Sequence, residues 1–122
     1  MTARLRIPHL PGQFDPPMVL GNHCIERSSE ARVVVIDRKI VIRLTPMEYC
    51  LFSYLLEKPH MLVSVDEMAT RVLQTTSDQS DPRLFQNMDR HISALRCKLR
   101  YSGLSVRRVI GCGWLLTEYQ DA

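Results

Sequence analysis

Leu84-Phe85-Gln86-Asn87-Met88-Asp89-Arg90-His91-Ile92-Ser93-Ala94-Leu95-Arg96-Cys97-Lys98-Leu99-Arg100-Tyr101 decides how this chain folds. Met88, Ile92, Leu95 and Leu99 recur at steps of four, three and four, which a 3.6-residue period gathers into one apolar stripe. The spacing predicts a helix over 84–101 that packs by that stripe. Opposite it fall Gln86, Arg90, Ala94, Cys97 and Tyr101, with His91, Arg96, Lys98 and Arg100 on the flanks and Asp89 as the only acid. A helix seated by one face and offering basic, hydrogen-bonding groups on the other suits the major groove of a nucleic-acid duplex. A solvated surface helix has the same pattern, and this stretch alone leaves the two readings level.

On the C-terminal side, Ser102-Gly103 closes the helix. Val106–Ile110 and Trp114–Thr117 then flank Gly111-Cys112-Gly113, the pattern of a hairpin with a glycine-bearing three-residue turn. On the N-terminal side, Leu44-Thr45-Pro46-Met47-Glu48 is a helix start, with Thr45 as N-cap, Pro46 at the first helical position and Glu48 completing a capping box. That first helix is expected to run to about Lys58, burying Tyr49, Phe52, Leu55 and Leu56. Ser64-Val65-Asp66-Glu67 repeats the capping logic and opens a short second helix that carries Met68, Val72 and Leu73 and ends near Gln74. Residues 75–82 are polar and turn-forming, a loop that serves either as a connector or as a partner contact.

Four short β-branched or apolar runs come earlier: Met18–Leu20, His23–Arg27, Arg32–Ile36 and Ile40–Leu44. They predict a small antiparallel sheet. Residues 1–17, with Pro8, Pro11, Pro16 and Pro17, read as an extended or disordered lead-in, and 18–122 as one domain.

Composition narrows the function classes. A chain of 122 residues with 45% apolar side chains buries one core. Its formal net charge of +3 is modest, but between Arg83 and Arg108 seven Lys or Arg stand against Asp89 alone, so the positive charge is local. Cys24, Cys50, Cys97 and Cys112 are widely spaced, without a C-x-x-C pair, and the four histidines do not cluster with them, so no metal or cofactor is expected. No secretory signal and no membrane-spanning run is evident, which favours free thiols and a cytoplasmic location. No phosphate-binding glycine loop, carboxylate pair or nucleophile beside a base is present, so an enzyme is the least expected class.

Three helices followed by a basic hairpin describe an α+β winged helix-turn-helix. Four blocks go further: Leu44-Thr45-Pro46-x-Glu48-Tyr49, Val63-Ser64-x-x-Glu67, Asp89-x-His91-Ile92-Ser93-x-Leu95-Arg96-x-Lys98-Leu99 and Gly111-x-Gly113-Trp114. In order and spacing, they resemble the DNA-binding domain of the OmpR/PhoB response regulators over about residues 23–119. The resemblance implies that the third helix enters the major groove and that the wing, 106–117, reaches the adjacent backbone or minor groove. It places Arg90 and Ala94 at the bases, His91 and Arg96 at phosphates, and Asn87 at the backbone. Lys98, Arg107 and Arg108 complete the candidate contacts. An arginine independently suits this role, since a guanidinium grips phosphate or a guanine edge bidentately. The resemblance also implies RNA polymerase as a partner of loop 75–82, and head-to-tail pairing on direct-repeat DNA.

The chain departs from that pattern at Ala94 and Ile110, where relatives commonly carry arginine, and at Leu73, where tryptophan is usual. Base reading then leans on Arg90 and on DNA shape. Relatives also carry a receiver domain ahead of this one, which the seventeen residues before Met18 are too few to form, so the sequence reads equally as a stand-alone regulator or as a fragment of a longer one.

The first function is therefore a sequence-specific DNA-binding transcriptional regulator. The alternative is a winged-helix protein-interaction module in which Ala94 and Ile110 serve a partner surface. Cys97 on the outward helix face and Cys112 at the wing turn are candidate redox-sensitive thiols, set against the simpler reading of incidental cysteines.

Overall fold

A computed structural model describes residues 14–73 and 82–118. Its first layer is an antiparallel sheet of β1 (Met18–Leu20), β2 (His23–Ser28), β3 (Val33–Ile36) and β4 (Ile40–Arg43), in that order. Alternation along the strands sends Leu20, Ile25, Val34, Ile36 and Ile42 into the main core. Val33 and Val35 point to the opposite face, where Phe14, inside the stretch expected as lead-in, is buried against them. The Asp15 N–H donates to the Arg27 carbonyl at 2.8 Å and so fixes the chain there. The rest of the expected lead-in, residues 1–13, lies outside the described residues.

Helix α1 (Pro46–Glu57) begins as its local sequence dictates. The Glu48 N–H donates to Thr45 Oγ1 at 3.2 Å, and the Thr45 N–H donates to Glu48 Oε1 at 2.9 Å. Leu51 joins Tyr49, Phe52, Leu55 and Leu56 on its buried face. The next cap is only half of a box. Ser64 Oγ accepts the Glu67 N–H at 3.1 Å, but the Glu67 carboxylate turns to α1, where it accepts from the Tyr54 hydroxyl and, at 2.5 Å, from Lys58 Nζ. The second helix, α2 (Val65–Met68), continues into a π-helical turn (Ala69–Leu73). Most of the polar loop 75–82 lies outside the described residues.

Helix α3 (Pro82–Lys98) starts two residues before the expected Leu84 and ends three before Tyr101. The early end has a local cause: the Ser102 hydroxyl donates to the Leu99 carbonyl at 2.6 Å, and Tyr101 takes a left-handed φ of 68°. Both features leave the 3.6-residue path while Leu99 stays buried. The hairpin is correspondingly longer than expected. β6 (Leu104–Val109) and β7 (Gly113–Glu118) pair from Leu104↔Glu118 to Val109↔Gly113. A strand absent from the sequence reading, β5 (Val63–Ser64), adds to the free side of β7 through Val63↔Trp114 and Ser64↔Gly113. Two residues carry no periodicity of their own, and their strand geometry comes from this distant pairing. Trp114, fully buried, sits where the sheet meets the helices.

Candidate nucleic-acid interface

The site is built on α3, which is seated by the expected stripe: Met88, Ile92, Leu95 and Leu99 are each at most 1% exposed. Burial at about 1.5–3 kcal/mol per side chain outweighs any helix-propensity difference in this segment, so the stripe sets the rotation of the helix. Gln86, Arg90, Ser93 and Cys97 are consequently exposed on the far side. Arg90 has no ion pair among the described residues.

The two flanks differ. Asp89, Ser93 and Arg96 lie at helical spacing on the flank that faces β6, and Arg100 follows in the turn after the helix. There Arg108 Nη1 comes within 3.4 Å of Asp89 Oδ2, which ties the wing to the helix and occupies the one acid of the region. Below that tie, Ser93, Arg96, Cys97 and Arg100 meet Ser105 and Val106 across a groove of about 720 Å³. Arg96 is exposed and carries no ion pair among the described residues.

The other flank carries Asn87, exposed, with His91 and Ala94, both half-buried. Lys98 completes it, and its ammonium lies 2.5 Å from Glu48 Oε1. Glu48 is 3% exposed. Burial pushes its carboxyl up, but hydrogen bonds from Lys98 and Thr45 outweigh that and hold it below its ordinary value of 4.5. Lys98, one of the candidate DNA contacts, therefore has a structural partner that the sequence did not reveal.

On the wing, Arg107 and Arg108 are both exposed and alternate across β6. Arg107 has no ion pair among the described residues, whereas Arg108 leans on Asp89. Cys97 and Cys112 are exposed free thiols, as is Cys50 on α1.

The structure thus sets Arg90 and Arg96 on the exposed side of α3, brings Arg108 to that helix through Asp89, leaves Arg107 on the opposite face of β6, places Asn87, His91 and Ala94 on the other flank, and engages Lys98 in the fold. Sequence reasoning set Arg100 on the flank of the helix without counting it among the candidate contacts, yet it lines the same groove as Arg96. Its spacing of four from Arg96 was the available signal. Among the described residues, no group of three or more His, Cys, Asp or Glu is placed to hold a metal ion, and no helix is long and apolar enough to cross a membrane.

Arranged this way, the elements define a winged helix-turn-helix. Residues 38–116 match the family described as transcriptional regulatory protein, C terminal, and the chain belongs to that family, the OmpR/PhoB-type effector domains. Solved structures agree with the fold. The DNA-binding domain of the response regulator AdeR, in complex with an intercistronic region, is 26% identical, with 77% of this chain and 94% of that one covered at a TM-score of 0.60. The DNA-binding domain of E. coli CpxR is 21% identical over 85% and 98%, with a TM-score of 0.64. The Klebsiella pneumoniae RstA DNA-binding domain, in complex with RstA box, is 18% identical over 84% and 98%, with a TM-score of 0.66. No curated protein matches the chain.

Proposed function

We infer that the chain is the sequence-specific DNA-binding domain of a transcriptional regulator, with α3 in the major groove of double-stranded DNA and the β6–β7 wing at the neighbouring backbone or minor groove. The carrying observation is the exposed face of α3. Arg90 and Arg96 stand without ion-pair partners among the described residues, on a helix whose opposite face is fully buried. Arg90 takes a base edge, Arg96 and Arg107 take phosphates, and Asn87 and His91 meet the backbone at the entry side. Family membership supports this assignment, as does the AdeR domain's presence on an intercistronic region.

A contact between residues 75–82 and RNA polymerase, head-to-tail pairing on direct repeats and action in the cytoplasm belong to the same reading, and the family resemblance is their support. No catalytic role is assigned.

Selection of bound duplexes from a random pool tests the function. Enrichment of a defined motif, bound with a log–log salt slope of about −0.9 per phosphate contact, is the expected result. Weak binding without enrichment would contradict it.

A further inference from the structure

The turn that ends the wing carries hardly a polar side chain. Val109, Ile110, Gly111 and Cys112 form it, whereas surface turns ordinarily draw on Asn, Asp, Ser or Gly. Only Gly111, at φ 78°, follows that rule. Ile110 is 84% exposed and Val109 38%, so a branched hydrocarbon knob stands in solvent at the end of a strand that bears Arg107 and Arg108.

The knob is also held rigidly. The Cys112 N–H donates to the Val109 carbonyl at 3.0 Å to close the turn, and the Val65 N–H, at the start of α2, donates to the Cys112 carbonyl at 3.2 Å. Val109 pairs with Gly113 at the top of the hairpin, and Arg108 ties the same strand to α3 through Asp89. Around Gly111 a side-chain carbon would meet nothing within 4 Å, so the space beside Ile110 is open.

A fixed apolar tip above cations matches one feature of duplex DNA. At a flexible pyrimidine–purine step, an apolar side chain entering the minor groove partly unstacks two base pairs while nearby cations hold the flanking phosphates. We propose that Ile110 is such a wedge, entering the minor groove beside the site read by α3 and bending the duplex there. The proposal rests on the DNA-binding reading above. It adds a source of sequence preference that needs no hydrogen bond: a step that unstacks readily is favoured under the wing over a stiff one.

The test uses the full chain on its selected site, with 2-aminopurine at the step under the wing and a fluorescence-transfer pair at the duplex ends. The wild-type chain should raise 2-aminopurine fluorescence and bring the ends together. Ile110→Ser, a surface change that leaves the melting temperature in place, should lose both signals and bind roughly tenfold more weakly. Ile110→Met should retain them.

Unaltered affinity, bend and fluorescence in Ile110→Ser, with binding still lost in Arg90→Ala, would overturn the wedge and leave the reading of α3 standing. Absence of specific binding by the wild-type chain would overturn both. A protein partner lost in Ile110→Ser while the DNA bend persists would overturn the wedge in favour of protein docking at the tip.

Discussion

The Lys98 ammonium on the flank of α3 lies 2.5 Å from Oε1 of Glu48, the buried carboxylate that also caps α1. One carboxyl oxygen therefore fixes both the start of the first helix and the seating of the third. The relation runs between residues fifty apart in sequence, and it converts a cation of α3 into part of the frame.

That frame should respond to acid. The Glu48 carboxyl is held below 4.5 in the folded chain, so its contribution to stability is complete above that value and is lost as pH falls through the lowered one. Lys98→Met should cost roughly 1–2 kcal/mol near neutral pH, at the modest end for such pairs because Lys98 is partly solvated. The penalty should shrink as pH falls below 4.5 and vanish once the lowered Glu48 carboxyl is protonated. Urea unfolding of both chains across that range measures it, and a penalty independent of pH would assign the loss to packing of the lysine stem.

Two glycines of the wing should differ in kind. A side-chain carbon at Gly113 would fall 1.9 Å from the Val63 carbonyl oxygen, so Gly113→Ala must push β5 away from β7, at a cost of about 3 kcal/mol or more. Gly111 has open space but a φ of 78°, and Gly111→Ala should cost only the left-handed strain of about 1–2 kcal/mol. Thermal unfolding ranks the two, with equal losses counting against the close approach.

The wing arginines should also separate. Arg107→Ala should weaken binding evenly across DNA sequences and reduce the magnitude of the salt slope by about 0.9. Asp89→Asn removes the negative charge 3.4 Å from Arg108 Nη1, so DNA binding should strengthen most at low salt, where repulsion between that carboxylate and phosphates is least screened. Affinity titrations at several salt concentrations read both effects.

Thiol modification supplies a map of the interface. Cys97 lies on the exposed side of α3 and Cys50 on the exposed side of α1. Alkylation in a variant that keeps only Cys97 should abolish specific DNA binding through bulk alone, whereas a variant that keeps only Cys50 should bind normally after the same treatment. Equal affinity before and after alkylation of Cys97 would move the docking face elsewhere.

Local chemistry carried much of this structure into view. The Thr45-Pro46-x-Glu48 start, the Met88–Leu99 stripe and the Ser102-Gly103 stop act within a few residues, so the chain order alone shows them. β5 escaped because Val63 and Ser64 become a strand only by meeting Trp114 and Gly113. Ser64 and Glu67 looked like a full capping box until Tyr54 and Lys58 drew the carboxylate away. Lys98 and Asp89 show the same limit at the site: sequence reports their charge, while their partners, Glu48 and Arg108, arrive through packing. The basic face was legible, but which cations on it stand without a protein partner was not.

The most direct measurement of the central claim is a paired selection from random duplex DNA with the wild-type chain and with Arg90→Ala. If α3 reads bases, the wild-type motif should survive in the variant with relaxed preference at one base-pair position, at a cost of about 1–3 kcal/mol there. An identical motif and affinity from the two chains would contradict the placement of Arg90 in the major groove.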